Sequence, residues 1–453
     1  MPKLFPLAVS LLCCVLFYVV IWKKTNGIQT SPQAIYFALL RSGFLWRDGL
    51  ETAEVPKAIM TPQNLSSTTK QTTKIALKED LDSLSHVNSQ KEVRSGNPKL
   101  TTSITALPVL YKKDFTQLPK WDFEDVYLQN DEERRPVCSK SLQNSKDKEF
   151  QAAVIPNIQL WLHKGLLDIS EWNRLAHFNN PFGFMEYTYN DVKSSVDLIP
   201  KPKSAQLFPL PKNAQDGCIR CAVVGTGGIL SGSKMGKDID SHDYVFRMNG
   251  AVIKGYEEDV GRKTSVYVHT SFSLISSFHL LRQYGFDRIP NDEGIKLVLI
   301  PEGLRDFEWI EGLFLKNALK KGDFKGVRPF NYYSGGIEKD KQFYVLHPDF
   351  LRYVRNRFLR STSLDGNFWY MFRPTNGAFT LFLALHTCDI VDVYGFITED
   401  HHKYSNYYFE RATKTSVIFF ANHDYNLEMQ TWKKLHDSGI INLYQRKENL
   451  TIT

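Results

Sequence analysis

The chain is short of cysteine and of complete glycine signatures, and each shortage excludes a class of function. Its 453 residues carry six cysteines. Two of these, Cys13 and Cys14, fall inside the apolar N-terminal run, which leaves Cys138, Cys218, Cys221 and Cys388. Cys218-Ile-Arg-Cys221 spells C-x-x-C, but no second such pair and no spaced histidine pair completes a zinc set. CAVVGTGGILSG begins like a strand running into a phosphate-binding turn. Position 230 is leucine, however, so G-x-G-x-x-G is absent and a dinucleotide fold is not expected. Internal repeats are lacking too. The formal net charge of +7 includes a lysine-rich N-terminal third. It fits an anionic ligand without marking a nucleic-acid surface, and no nucleic-acid partner is expected.

Charge is also missing between Leu4 and Trp22. These 19 residues, at about 1.5 Å each, match a hydrocarbon layer of about 30 Å. No small-x-small cleavage site follows, so residues 4–22 read as an uncleaved signal-anchor behind a cytoplasmic tail of residues 1–3. Asn64-Leu-Ser and Asn449-Leu-Thr are glycosylation acceptors, which place the downstream chain in the secretory lumen. In that compartment the four remaining cysteines favour disulfides, and four cysteines allow three pairings.

Residues 23–120 are rich in Ser, Thr and Lys, with little apolar periodicity. Such a segment cannot bury enough surface to offset ordering entropy, so it reads as a disordered stem. Residues 121–453 form the expected lumenal domain. There, CAVVG (221–225), IKLVLIP (295–301) and DIVDVYGF (389–396) are strand-like runs. Helical patterns alternate with them at 276–285, 348–360 and 378–387. The order predicts an α/β fold, a mostly parallel central sheet flanked by helices, with ligands beyond the carboxyl ends of the strands.

Several polar groups stand where such a sheet would use them. Arg247 and Asn249 end the YVF run, a place where polar residues cap turns or touch ligands. Pro374-Thr375-Asn376-Gly377 precedes a helix whose free N–H groups make an anion site, or which Thr375 or Asn376 simply caps. His423 follows the apolar run SVIFFAN and is expected at a strand end. Asp238-Ile-Asp240 spells the metal-holding D-x-D of many glycosyltransferases, but its setting points to capping or solvated carboxylates. His401-His402 reads as a surface pair.

Residues 221–268 resemble the large motif of animal sialyltransferases, and FRPTNGAFTLFLALHTCDIVDVYGF resembles their small motif. NYYFE (406–410) resembles the third motif, and His423-Asp-Tyr-Asn-Leu-Glu428 the very small H-x4-E motif. Between and around them, FNNPFGFMEYTYNDV, HPDFLRYVRNRFLRS, YGFITE and LYQR look like the branch that adds sialic acid α2,6 to N-acetylgalactosamine on Ser or Thr.

The resemblance implies a GT-A-like sialyltransferase fold in a single-pass type II protein of the Golgi membrane. It implies CMP-sialic acid as donor, O-glycosylated glycoproteins as acceptors, and neither metal nor other cofactor. The disulfides implied are Cys221–Cys388 and, by remainder, Cys138–Cys218. Implied donor contacts are Gly225, Thr226, Asn249, Thr375, Asn376, Gly377 and Tyr407. His423 is the implied general base, with Glu428 supporting its segment. Three positions depart from the common pattern. Thr226 stands where many relatives have Asn, Asn376 where they have a hydroxyl, and Tyr407 where they have His. These departures lend weight to a second reading, a catalytically impaired lumenal glycan-binding or scaffolding protein of the same fold. Bare and galactosylated N-acetylgalactosamine both stay open as acceptors.

Overall fold

The computed structural model describes residues 105–446 apart from 132–137, 205, 213, 215, 334–336, 338–341 and 413. The anchor at 4–22, the stem up to residue 104, and both glycosylation acceptors, Asn64 and Asn449, lie outside the described residues. No helix among the described residues is long and apolar enough to cross a membrane.

Eight strands form one sheet. They are β1 (Trp161–Leu162), β2 (Arg220–Val224), β3 (Tyr244–Met248), β4 (Val266–His269), β5 (Lys296–Leu299), β6 (Phe343–Leu346), β7 (Ile390–Tyr394) and β8 (Ile441–Leu443). Their order across the sheet is β1-β6-β5-β4-β3-β2-β7-β8. All neighbours are parallel except β1 and β6, where Trp161 faces Leu346. The central strands are short β-branched and aromatic runs such as CAVV and VYV, buried on both faces. That composition is what a parallel sheet covered by helices selects. The end strands have two and three residues, which limits the exposed ladder at either edge.

Among the helices are α1 (Gly236–Ser241), α2 (Ser271–Leu280), α3 (Leu304–Phe314), α4 (Pro348–Arg357), α5 (Asn376–Thr387) and α6 (Tyr425–Asp437). The apolar α5 is buried from Ala378 to His386 and packs against β2, β3, β4 and β7. From β2 the chain fills one side of the sheet in order, through β3, β4, β5 and β6. It then crosses back to lay β7 against the other side of β2. The strand order therefore reverses between β2 and β7. Crevices at such reversals, beyond the carboxyl ends, are where open α/β sheets bind ligands.

The amino ends of the same two strands are bolted together. Cys221 pairs with Cys388 at a Cα separation of 6.1 Å, and Cys138 with Cys218 at 5.6 Å. The lone cysteine at the end of α5, two residues before β7, is thus joined to the second residue of β2. Asp389 links both bridges, because its carboxylate accepts from the amides of Ile219 (2.8 Å) and Cys138 (3.2 Å).

The start of the domain is held by arginines of α4. Arg355, buried, donates to the Asp122 carboxylate at 2.6 Å and to the Asp122 carbonyl at 2.7 Å, over the ring of Phe182. Arg352 donates to the carbonyls of Glu124 and Val126. Upstream of that clamp, residues 105–120 also bond to the domain. The Leu107 amide reaches Asn173 at 2.8 Å, Lys112 pairs with Glu186 at 3.2 Å, and Phe115 accepts from the Trp369 indole.

The Cys221–Cys388 bridge spans 167 residues of sequence. In the chain-entropy account a loop of that length stabilises the fold by about 5 kcal/mol. Cys388→Ser is therefore expected to abolish secretion of the soluble domain. Normal yield and an unchanged melting temperature would remove the bridge from any leading role.

Candidate functional site

At the β2–β7 reversal the strand exits lie against each other. The Gly225 amide donates to the Tyr394 carbonyl at 2.8 Å, and the Gly227 amide to the Gly395 carbonyl at 2.9 Å. A β-carbon on Gly225 or on Gly227 would lie 2.6 Å from the Gly395 oxygen. These glycines are thus required by backbone packing inside the protein, whatever they offer a ligand. The next residues bring in the third motif. Gly227 forms an antiparallel bridge with Tyr407, and the Thr226 carbonyl accepts from the Tyr408 amide at 3.1 Å. The half-buried Tyr407 stacks on Phe409 with ring centres 4.9 Å apart. Burial, and then the Glu410 charge, push its hydroxyl above the usual tyrosine range, so it remains a hydrogen-bond donor.

The two residues ending the YVF run part company. Arg247 is fully buried and serves the fold, donating to the carbonyls of Lys263 and Val260 and to Thr264. Asn249 is the one that reaches the crevice. It leaves β3 with φ of 51°, a left-handed conformation that asparagine tolerates better than most residues. Its side-chain oxygen accepts from Asn376 at 2.9 Å, which joins the exit of β3 to the first residue of α5.

Thr375 caps α5. Its hydroxyl oxygen accepts from the Ala378 amide at 3.1 Å while donating to Glu428 Oε2 at 2.8 Å. The Thr375 amide donates to Glu428 Oε1 at 2.7 Å. Burial raises the Glu428 carboxyl to about 7, against the downward pull of those two bonds. A β-carbon on Gly377 would meet the Thr375 hydroxyl at 3.3 Å, so glycine keeps the cap uncrowded. The positive end of a twelve-residue helix is thereby aimed at the crevice.

His423 is not at a strand end. Residues 414–420 run without regular structure, with Phe419 and Phe420 exposed, because this apolar stretch joins no strand of the sheet. His423 instead occupies the turn before α6, next to Asp424, which caps that helix. Its Nδ1 donates to the Arg373 carbonyl at 2.8 Å. That bond leaves the lone pair on Nε2. No hydrogen bond joins Nε2 to any described residue. Burial, and next the Arg373 charge, lower the imidazole to about 4, with Glu302 opposing.

Arg373, inside the small-motif stretch, links His423 to two residues that belong to no motif noted in the sequence, Glu302 and Arg305. Arg373 forks onto Glu302 Oε1 at 3.0 and 2.6 Å, and Arg305 holds Oε2 at 2.9 Å. Glu302 follows the apolar run of β5, so the rule that singles out polar residues at strand exits would have found it.

The D-x-D carboxylates are engaged by the fold. Asp238 accepts from the Tyr394 hydroxyl at 2.5 Å, and Asp240 from the amides of Arg262 and Lys263 at 2.9 Å. No cluster of three or more metal-ligating side chains occurs among the described residues. His401 and His402 lie in a short surface turn.

Residues that were separate in sequence thus meet at one carboxyl edge: Gly225, Thr226, Asn249, Thr375, Asn376, Gly377, Tyr407, His423 and Glu428. Comparison with known proteins gives the family. Residues 161–440 match glycosyltransferase family 29 (sialyltransferase). The chain is 44% identical over 349 residues to alpha-N-acetylgalactosaminide alpha-2,6-sialyltransferase 1 of Gallus gallus, a match covering 76% of this chain and 61% of that protein. It is 38% identical over 352 residues to alpha-N-acetylgalactosaminide alpha-2,6-sialyltransferase 2 of Mus musculus, covering 78% and 92%. A solved crystal structure of a mammalian sialyltransferase shares the fold, with a TM-score of 0.50 at 24% identity, over 69% of this chain and 100% of that one. The chain belongs to glycosyltransferase family 29, the sialyltransferases.

Proposed function

We propose that the protein is an inverting sialyltransferase. It would move sialic acid from CMP-sialic acid to the 6-hydroxyl of N-acetylgalactosamine O-linked to Ser or Thr. The observation that carries this reading is the meeting of His423, with a free Nε2, and the capped amino end of α5 at one crevice. The names of the two relatives support the acceptor. The chain spans 61% of the Gallus gallus relative, so its own activity is inferred and open to direct test. A signal-anchor at residues 4–22 would hold the domain in the Golgi lumen.

The reaction is one displacement. The acceptor O6 attacks the anomeric carbon of sialic acid, and the bond from that carbon to the phosphate oxygen breaks, its electron pair leaving with CMP. The O6 proton passes to His423 Nε2. The α5 amino end and the side chains of Asn249, Asn376 and Tyr407 offer hydrogen-bond donors and a positive dipole to the donor's phosphate and carboxylate. In the free protein the imidazole is neutral above about pH 4. Bound donor brings negative charge, which raises the imidazole's proton affinity and makes it a stronger base.

Incubation with CMP-sialic acid and a glycopeptide bearing a single N-acetylgalactosamine is expected to release CMP and yield the α2,6 product. Absence of transfer to both the bare and the galactosylated sugar would instead favour the impaired, glycan-binding reading.

His423→Ala is expected to lower saturated turnover by roughly 10²–10⁴-fold, with CMP affinity little changed. Thr375→Ala removes both the cap and a donor to Glu428. Its loss should fall on CMP affinity first. Calorimetric CMP titration beside saturated turnover separates the two, and equal loss of CMP binding in both would make His423 a donor contact.

The pH profile tests the same residue. In kcat/KM, which reports the free enzyme, the acid limb is expected near pH 4. In kcat it should lie higher, because the donor's charge is then in place. His423→Ala should erase the limb near pH 4, and persistence of that limb in the variant would contradict the assignment.

Activity is expected to survive EDTA, since Asp238 and Asp240 already bond within the fold. Loss on chelation with recovery in Mn²⁺ would return those carboxylates to a metal.

A further inference from the structure

Glu302 lies outside every stretch that resembles a family motif, yet its carboxylate joins two guanidinium groups. Arg373 forks onto one oxygen and Arg305 binds the other. The side chain is only 6% exposed, so solvent screens these bonds less than it would on an open surface. Its backbone is fixed to the sheet as well. Just past β5, the Ile300 amide donates to the His269 carbonyl at 2.9 Å, and the Glu302 amide to the Ile300 carbonyl at 2.9 Å.

Arg373, by contrast, sits in an irregular stretch, residues 372–375. Two backbone bonds tie it to the histidine segment. Its amide donates to the Asn422 carbonyl at 3.1 Å, and its carbonyl accepts from His423 Nδ1 at 2.8 Å. Pro374 confines the residue before it to extended backbone, which limits how the Arg373 carbonyl can rotate. What remains is where that carbonyl sits in space, and the fork on Glu302 sets it.

We propose that Glu302 is a positioning residue for His423, anchoring Arg373 so that the Arg373 carbonyl holds the imidazole with Nε2 facing the acceptor. The inference rests on the reading of His423 as base. A displacement of the base by a fraction of an ångström acts on the transition state and leaves donor binding alone. A merely structural carboxylate would instead act on stability and on every ligand contact.

Glu302→Gln keeps the shape and removes the charge that holds the fork. It is expected to lower kcat roughly 10- to 100-fold while CMP affinity stays unchanged. The same change placed on a His423→Ala background should cost nothing further, because the residue it orients is gone. An equal loss in both backgrounds, or a loss confined to CMP binding, overturns the inference while leaving His423 as base. If His423→Ala itself turns over normally, the base assignment falls, and this inference with it. Should Glu302→Gln not fold, Arg373→Met, which keeps the carbonyl and loses the fork, goes through the same cycle with the same expected and overturning outcomes.

Discussion

Two side chains five residues apart grip one three-residue strap, and the site is arranged around that grip. His423 donates to the Arg373 carbonyl, and Glu428 accepts from the amide and hydroxyl of Thr375. Pro374 lies between them and stiffens the strap. One side of the H-x4-E segment thus presents a lone pair at Nε2, and the other fixes the cap of α5. The spacing follows from α6, whose first turn carries Glu428 back under the strap while Asp424 caps the turn between. Shifting α6 would move the imidazole and the helix cap together. The same strap thereby couples a group suited to accept a proton with one suited to hold an anion.

The reversal between β2 and β7 makes that coupling possible. Parallel strands release their chain at one edge, so Gly225 and Gly395 leave side by side, and α5 must start at that edge to return to β7. The backbones come too close there for β-carbons, which explains glycine at 225 and 227 without appeal to a ligand. At the opposite edge the Cys221–Cys388 bridge holds the same two strands. One pair of neighbouring strands is therefore fixed at its amino ends by a covalent bond and at its carboxyl ends by the glycine contact.

The sheet was legible in the sequence because its central strands are buried on both faces and read as continuous apolar runs, such as CAVV and LVL. The start of α5 was legible from Thr375, a residue type that caps helices. The segment before His423 was misjudged for the same reason the strands were found. SVIFF has strand-like composition, and composition cannot tell whether a partner strand is available. Arg373 and Arg305 were missed because their meaning lies in contacts across the fold, while Glu302 stood at a legible place, just past the end of β5. Glu302 and Arg373 stand 71 residues apart, and Arg355 and Asp122 stand 233 apart. Periodicity and turn chemistry carry no signal at that range.

The charges near the crevice also bear on how a leaving phosphate would be met. Arg373 and Arg305 are both committed to Glu302, so the group of three carries one net positive charge, spread over a partly buried network. Asp238 and Asp240 point into the fold. In the proposed reaction CMP departs as a phosphate monoester, which gathers less charge than a diphosphate. At that scale the proposed reaction would rely on hydrogen bonds and a helix dipole, where a diphosphate would call for a cation. Tyr407 fits the same economy of charge. Its hydroxyl stays protonated because burial raises it, so it can donate to an anion but bring no charge. A histidine there would supply a proton and a positive charge, but that charge would lie in the same crevice as His423 and depress its proton affinity further. With tyrosine, in the proposed reaction, the task of raising the base would fall to the donor's own phosphate and carboxylate, so that the imidazole would become a stronger base only with donor bound.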